Sequence, residues 1–236
     1  LVQRAVAMAR EAPEDAYAGL APSELLLRAA APDLDAFDPA EPSPADLRAR
    51  ALAAEVAARA VPGVTNSNGG SASASASTVA LATSGGFSGA YRASGHGTSA
   101  SVVAGEGSAM QRDYAYHSAR HLADLEEPAA IGRRAGERAA ARVGSAKVEP
   151  GRLPILFDPR VATSLLGHFV SAINGAAIAR QTSFLLGKLG ERIFAAGITI
   201  HDDPLRRRGL RSRPFDGEGL PTRPMNLVED GVLTTW

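Results

Sequence analysis

Residues 71–83 read SASASASTVALAT, and they are followed at 84–86 by Ser-Gly-Gly, which is typical of a tight turn. Alternation with a period of two indicates a β-strand, although Ser/Ala repetition by itself would also suit a flexible linker. Val79, Leu81 and Phe87 favour the strand, because large apolar side chains have no role in a linker. The sequence therefore predicts strand structure on both sides of a turn.

The alternation continues beyond this turn in FSGAYRASGH (87–96) and TSASVVAGE (98–106). Together the segments predict an antiparallel meander of about three strands. The strands carry mostly Ser, Ala and Gly, which allow close backbone approach but supply little catalytic chemistry.

Helices are predicted before the meander. Residues 1–12 have one apolar face, and Pro13 should end that helix; a short helix is expected at 23–30. Ser43 is a candidate N-cap for a longer helix that begins at Pro44 and ends near Ala60. The alanine-rich face of this third helix should lie close against a sheet.

Two further helices are predicted after the meander. One opens near Ser118 and runs through Leu125, and the next begins at Pro128 and carries apolar residues at every fourth position until Gly144. This pair of helices is typical of a domain boundary.

The remainder of the chain mixes short elements of both kinds. LPILF (153–157) is predicted as a buried strand, Asp158-Pro159 as a helix start, GITIHDD (197–203) as a strand, and Asp230-Gly231 as the turn of a hairpin. Strands and helices occur in clusters, so the fold class is α+β: an antiparallel meander with packed helices, followed by the start of a second α+β or mostly-β domain.

Composition excludes several functional classes. The 236 residues carry 25 Lys and Arg against 25 Asp and Glu, so no excess of charge attracts nucleic acid or an anionic membrane to the whole surface. Cysteine is absent, which excludes disulfides and thiol catalysis within the chain. No apolar run is long enough to span a membrane and the first residues do not form a signal-peptide core, so a cytoplasmic location is expected. Because the sequence starts at Leu1 and stops at Trp236 soon after the hairpin signal, we interpret it as a piece of a longer protein.

Two histidines are candidate metal ligands. His117 and His121 lie four residues apart in a stretch predicted to be helical, so both could face one zinc ion. Asp113, Asp124 or Glu126 would then supply an oxygen ligand. Ser118 occupies the place where a zincin has its glutamate, and solvated or capping histidines remain the alternative interpretation.

An arginine cluster is the second candidate site. It could clamp phosphates, but acidic residues flank it on both sides and no aromatic residues alternate with the arginines, so an ion-paired loop or a subunit contact is favoured. The glycine-rich stretch at 84–97 lacks the spacing of a phosphate-binding loop, and hairpin turns explain it better. The arginines are Arg206, Arg207, Arg208, Arg211 and Arg213, and the flanking acids are Asp202, Asp203, Asp216 and Glu218.

Long stretches of the chain resemble the TldD/PmbA family, formerly described as modulators of DNA gyrase, and most closely its PmbA (TldE) branch. The resemblance extends over essentially the whole chain. It is carried by VPGVTNS (61–67), VALATSGGFSGAYR (79–92), IGRRAGERAAAR (131–142), FDPRVATSLLGHFVSAINGAAIARQTSFL (157–185), GITIHDDP (197–204), GLRSRPFDGEG (209–219) and LVEDGVLTTW (227–236).

The resemblance implies a cytoplasmic, heterodimeric metalloprotease that acts on unfolded peptides. It also implies three segments: 1–126 as a middle domain, 127–146 as a connecting helix, and 147–236 as the beginning of a C-terminal domain. In the TldD branch an HExxxH helix holds zinc, and the matching positions here are Gly167, His168 and Ala172. Because Gly167 and Ala172 replace the two ligands, the resemblance implies a subunit without zinc or catalytic residues, whose TldD-type partner carries the zinc.

Two other functions stay open at this point. One is a DNA- or gyrase-associated regulator that uses the arginine cluster. The other is an independent hydrolase that uses His117 and His121.

Overall fold

The structure is a computed structural model that describes residues 1–12 and 19–236. It contains five α-helices and six β-strands within those residues, and three short 3-10 turns lie between them. The helices are α1 (Val2–Glu11), α2 (Pro44–Arg59), α3 (Pro128–Ala141), α4 (Pro159–Ala172) and α5 (Gly175–Ala179), and the strands are β1 (Val64–Ala82), β2 (Ser88–Ala104), β3 (Gln111–Ala119), β4 (Ile200–Asp202), β5 (Met225–Glu229) and β6 (Val232–Leu233).

The predicted meander is confirmed, but its strands are divided differently. β1, β2 and β3 form an antiparallel sheet in sequence order. β2 includes both segments that were predicted after the turn, because its pairing with β1 continues through Gly97 without interruption. The third strand is β3, which alternates buried and accessible residues from Asp113 to Ala119. The predicted helix from Ser118 through Leu125 is therefore wrong; only a 3-10 turn forms there, at Leu122–Asp124.

Helix α2 begins as the sequence predicts. Ser43 accepts a hydrogen bond from the backbone N–H of Asp46, whose carboxylate accepts one from the backbone N–H of Ser43. This capping box satisfies two donors that a helix start leaves free. The short helix predicted at 23–30 reduces to a 3-10 turn at Ser23–Leu25. α1 forms with every residue exposed, and Pro13, expected to end it, lies outside the described residues.

Helices α2 and α3 cover one face of the sheet. Their contact is close because Gly132 and Gly136 of α3 lie against the backbone of α2 and the residues just after it. A Cβ atom on Gly132 would lie 2.9 Å from the carbonyl carbon of Ala54, and one on Gly136 would lie 2.7 Å from the carbonyl oxygen of Ala58. The buried core consists mainly of small side chains: Ala54, Ala58, Ala100, Val102, Ala104, Ala115, Ile131, Ala135 and Ala139.

A second core lies around α4 and the sheet of β4, β5 and β6. Its buried side chains are larger than those of the first core: Phe169, Ala172, Ile173, Leu185, Val228 and Leu233. The predicted Asp230-Gly231 turn is confirmed, with φ of 44° and 80°, and joins β5 to β6. Trp236 packs partly buried against this core.

Residues 153–157 do not form the predicted buried strand. The segment has no regular structure, and Ile155 and Leu156 are 72% and 98% exposed. Within the described residues, no helix combines the length and the hydrophobicity needed to cross a bilayer.

Candidate functional site

The positions that the family resemblance equates with the HExxxH sequence lie in the second half of α4. Gly167 and His168 are exposed, whereas Ala172 is buried in the second core. Gly167 and Ala172 do not share a packed helix face. Only Ala172 packs: no atom lies within 4 Å of where a Cβ on Gly167 would stand. Five helical positions turn the chain by roughly 500°, so the two residues point about 140° apart.

These residues do not fit a catalytic zinc ion. Gly167 has no side chain and Ala172 offers only a methyl group, so His168 is the one possible ligand among the three positions. A catalytic zinc needs three protein ligands and an open position. Within 1–12 and 19–236, no group of three or more His, Asp and Glu side chains is arranged to hold a metal ion.

Helix α4 is fixed to the first sheet at its N-terminus. Asp158 caps the helix, and Arg160 in the first turn reaches Asp113 on β3, with 2.6 Å between Nη1 and Oδ1. Arg160 also donates a hydrogen bond to the Tyr114 carbonyl oxygen at 2.7 Å, and its guanidinium lies over the Tyr114 ring. These contacts connect the segment after residue 147 to the sheet.

The charges of this contact are strongly coupled. Burial by itself would raise the pKa of Asp113, but the hydrogen bonds from Arg160 and from the Tyr114 backbone N–H outweigh burial, and the net pKa is lowered. The hydrogen bonds to Asp113 and Asp158 raise the pKa of Arg160. Arg142 lies 3.6 Å from Asp113 and adds a further positive neighbour to the cluster. The carboxylate of Asp113 is therefore charged wherever the protein is folded at neutral pH.

His117 and His121, the two candidate metal ligands, contact different partners. His117 lies on β3, where its Nδ1 accepts a hydrogen bond from the backbone N–H of Glu126, and His121 follows the strand and contacts Asp35. The predicted helix that would place both rings on one face does not form, and His121 lies beyond the end of β3. The three proposed oxygen ligands are engaged by arginines instead: Asp113 by Arg160, Asp124 by Arg208 and Glu126 by Arg134.

The arginine cluster, for which an ion-paired loop or a subunit contact was favoured, is ion-paired in part, through Arg207 and Arg208. Arg208 binds Asp35 at 2.6 Å and Asp124 at 2.9 Å, and Arg207 lies 3.4 Å from Asp35. The hydrogen bond from Arg208 is the main reason that the pKa of Asp35 is lowered. The partners thus come from before α2 and after β3, and not from the acids that flank the cluster in sequence.

Sequence reasoning missed a buried histidine. His96 of β2 is 3% exposed, and its Nε2 lies 3.6 Å from the Asp38 carboxylate. Backbone N–H groups of Leu122 and Ala40 donate to Asp38 and lower its pKa. The inward position of His96 in the alternating strand was the available signal.

Sequence reasoning also missed the character of the sheet face opposite α2 and α3. The rings of Tyr114 and Tyr116 stack on this face with centroids 6.1 Å apart. The predicted explanation of the glycines holds for Gly86, which has φ of 91° in the β1–β2 turn. It fails for Gly95 and Gly97, which lie inside β2 on this face.

Comparison with known protein families identifies the family of this chain. The central domain model of the PmbA/TldA metallopeptidases matches residues 37–143, and their C-terminal domain model matches residues 150–236. The chain belongs to the PmbA/TldD metallopeptidase family. It is 39% identical over 236 residues to the metalloprotease PmbA of Escherichia coli O157:H7, a match that covers the whole chain and 52% of that protein.

Solved structures of the PmbA/TldD type share the fold. A candidate modulator of DNA gyrase from Bacteroides thetaiotaomicron superposes with a TM-score of 0.90 at 29% identity, over the whole chain and 54% of that protein. TldE from Thermococcus kodakarensis superposes with a TM-score of 0.70 at 23% identity, over the whole chain and 53% of that protein. The chain therefore spans about half the length of the relatives that it matches.

Proposed function

We propose that this chain is a PmbA/TldE-like subunit of a TldD–TldE-type heterodimeric metalloprotease, that it acts on unfolded peptides in the cytoplasm, and that it carries no zinc itself. The TldD-type subunit supplies the zinc. The observation that carries the proposal is the chemistry of α4, where Gly167 and Ala172 stand at the positions of the two histidine ligands and Ala172 is buried as part of a core.

Exposed apolar side chains support a role in an assembly. Leu165, Leu166 and Val170 of α4 are about half exposed, at 51%, 49% and 48%, and Ile155 and Leu156 lie open before the helix. Apolar surface of this kind marks contacts with further polypeptide. In the proposed protein, α4 therefore contributes packing surface rather than metal ligands.

The three segments inferred from the family resemblance remain a proposal. One feature refines it: α3, within the proposed connecting segment 127–146, packs on α2 and the first sheet. We propose that α3 moves with residues 1–126, and that the link to residues 147–236 opens after it. Limited proteolysis should therefore cut first between about 143 and 152, where the chain is exposed and irregular.

The deciding experiment measures zinc and peptide cleavage on this chain, on a TldD-type subunit, and on their mixture. We expect stoichiometric zinc in the TldD-type subunit, none in this chain, and cleavage of unfolded peptides only when the TldD-type subunit is present. Chelator-sensitive cleavage by this chain alone would contradict the proposal. Chelator-resistant zinc that is lost on His121→Ala would instead favour the independent hydrolase.

A triple variant tests whether the HExxxH sequence by itself is enough to create a zinc site. The triple change Gly167→His, His168→Glu and Ala172→His restores the HExxxH sequence. We expect little gain in cleavage, because a metal site also needs a third ligand and the outer groups that orient the imidazoles. The matched control is His168→Glu alone, which changes the same exposed face without adding ligands.

The DNA-associated alternative has its own test. Arg207 and Arg208 are held by carboxylates, so they are poorly placed to neutralise phosphates. We expect weak duplex binding that changes little with salt. A steep dependence of affinity on salt, lost when Arg206, Arg207 and Arg208 are substituted, would favour the regulator.

A further inference from the structure

The face of the first sheet opposite α2 and α3 is open and rich in hydroxyl groups. Strand pairing aligns the outward residues of the three strands in rows, from Asn66, Val103 and Arg112 at one end to Val79 and Tyr91 at the other. Two depressions of about 520 and 420 Å³ lie along the face. The outward residues between these ends are Gly69, Ser71, Ser73, Ser75 and Ser77 of β1, Ala93, Gly95, Gly97, Ser99 and Ser101 of β2, and Tyr114, Tyr116 and Ser118 of β3.

The charged side chains that line the two depressions of this face are all arginines, so their charge is positive. Between Gly63 and Gly105 the only charged residue is Arg92, which stacks on Phe37, 3.5 Å from its ring centre, on the side away from the depressions. Arg112 lines the larger depression, and Arg211 and Arg213 line the smaller one. Among the described residues, no Asp or Glu lines either depression.

The arginines at the smaller depression are held in place by the fold. Arg120 donates hydrogen bonds to the carbonyl oxygens of Ser94 and Leu210, and so it ties the arginine loop to the sheet. In the part of the chain that the structure describes, no carboxylate pairs with the side chains of Arg211 or Arg213, whereas Arg208 in the same loop has two acidic partners. Two cations are thus available at a fixed position.

The middle of the face suits an extended chain. Tyr114 and Tyr116 are 47% and 51% exposed, and stacked tyrosines offer a large rigid contact at low entropic cost. Gly95 and Gly97 carry no side chain on this face, and the hydroxyls of Ser75 and Ser73 would lie 3.2 and 3.1 Å from Cβ atoms at these positions. A ligand would therefore meet a low surface of hydroxyl groups there. The hydroxyls of Ser75 and Ser77 donate to the carbonyl oxygens of Gly95 and Ala93 and can still accept a hydrogen bond. Other outward hydroxyls can both donate to and accept from peptide groups; they belong to Ser71, Ser73, Ser99 and Ser101.

We propose that this face binds an extended acidic polypeptide segment, with carboxylates at its ends on Arg112 and on Arg211 and Arg213. Ten residues separate Val103 from Ala93, a span of roughly 34 Å, which is the length of about ten extended residues. This proposal rests on the proposed function only where it identifies the bound segment as a peptide substrate. It adds that this substrate is acidic. Binding requires no cleavage and no zinc.

A peptide fits this face better than a nucleic acid strand. A single strand needs a positive groove that follows every phosphate, together with aromatic stacking for successive bases. Here the arginines stand at the two ends, and the central rows offer hydroxyls and glycines. Carboxylates placed at the ends of an uncharged or sparsely charged peptide match that distribution.

The test uses the full 236-residue chain and three fluorescein-labelled probes of equal length: a Ser/Gly peptide with Asp residues near both ends, the same peptide with Asn in their place, and oligothymidylate. Fluorescence anisotropy should show that the acidic peptide binds at least about tenfold more tightly than its Asn counterpart at low salt. The ratio of the two affinities should fall at high salt. Equal affinity of the two peptides, or tighter binding of oligothymidylate, would overturn the proposal.

Charge reversal locates the site. Arg211→Glu with Arg213→Glu should weaken the acidic peptide about tenfold, which corresponds to about 1.4 kcal/mol. The control is Arg206→Glu with Arg223→Glu, which makes the same change of net charge on exposed arginines that line a neighbouring depression but not this face. We expect the control to weaken binding less than about threefold, because exposed charges at a distance are screened.

Equal weakening by both charge-reversal variants would show that only net charge matters and would overturn the proposal. Tyr116→Ser should weaken both peptides, since the ring contact does not depend on charge. Failure of the proposed function would appear differently, as absent cleavage by the mixed subunits while this chain still binds the acidic peptide. Binding and cleavage therefore fail independently.

Discussion

The two cores of this molecule are built in opposite ways. The core under α2 and α3 is made mostly of alanine, and its helices approach so closely that Gly132 and Gly136 face neighbouring backbone. The core around α4 contains Phe169, Leu185 and other large residues, yet it leaves several equally large ones in solvent. Close packing in the first core comes from small side chains, and burial in the second comes from a few large ones.

The difference between the two cores shows which of them leaves apolar surface uncovered. The first core packs the contacting faces of α2 and α3 tightly, so a Cβ atom added at Gly132 or Gly136 meets backbone. The second core has apolar surface that no described residue covers, so it tolerates added atoms and provides contact surface. Substitutions at matched positions should therefore have different consequences in the two cores.

The largest effect is expected for Gly132→Ala. A Cβ atom there would stand 2.9 Å from the Ala54 carbonyl carbon and 3.0 Å from the Ala57 Cβ, so α2 and α3 must move apart. We expect the free energy of unfolding to fall by about 3 kcal/mol or more, at the upper end of overpacking effects. Urea unfolding followed by circular dichroism measures this loss.

Gly167→Ala is the matched control, because Gly167 also lies inside a helix but has no atom within 4 Å of the point where the alanine methyl group would stand. Alanine should leave stability unchanged or raise it by about 0.5–1 kcal/mol, since glycine is the poorer helix former. Equal losses for the two substitutions would contradict the contrast between the cores.

The second effect concerns the contact between the two regions. Asp113→Asn removes the charge that binds Arg160, and Asp113 is 6% exposed. We expect a loss of about 2 kcal/mol, typical of a hydrogen bond between charged groups. Glu191→Gln, which disturbs an exposed pair with Lys188, should cost less than about 0.5 kcal/mol and serves as the control.

The same substitution predicts a pH dependence. The pKa of Asp113 is lowered in the folded protein, so its contribution to stability is present above its unfolded value, near 3.8, and disappears as pH falls through the folded value. The difference in unfolding free energy between the original chain and Asp113→Asn should be constant from about pH 7 to 5 and should shrink in more acidic solution. A difference that grew on acidification would show that the carboxylate is not stabilised by Arg160.

The smallest effect is expected for Leu165→Ser on the open face of α4. Leu165 is 51% exposed, so the chain alone should lose less than about 0.5 kcal/mol. Leu185→Ser is the control within the same core, where Leu185 is 8% exposed and a loss of about 3 kcal/mol is expected. If Leu165→Ser instead weakens association with a TldD-type subunit, measured by co-purification, the open face belongs to the assembled interface.

Local signals predicted those elements whose partners are close in sequence. Ser43, Pro44 and Asp46 specify the start of α2 with three neighbouring residues, and Asp230-Gly231 specifies a hairpin with two. Period-two alternation predicted the meander for the same reason. The alternation also continues through 113–119, whereas the helix predicted from Ser118 through Leu125 does not form.

Burial and long-range pairing could not be predicted in this way. The hydrophobicity of 153–157 does not specify whether other parts of the chain cover this segment. The segment is exposed, so its predicted burial is wrong. The acidic partners of Arg208 stand 84 and 173 positions away, and nothing in the flanking sequence identifies them. The positions of Gly167 and Ala172 came from the family resemblance, while their opposite environments needed the three-dimensional structure.

The contact between Asp35 and Arg208 also has a consequence for the order in which the molecule forms. The backbone N–H of Arg208 donates to the Leu34 carbonyl oxygen at 2.8 Å, while its guanidinium holds Asp35. During synthesis the ribosome must translate past residue 208 before this contact can close, by which time the first sheet and its helices have emerged. Asp35 also contacts His121, which emerges earlier, so the late contact concerns Asp33 and Leu34. A nascent chain stalled before Arg208 should leave these two residues accessible to protease while the meander is already protected.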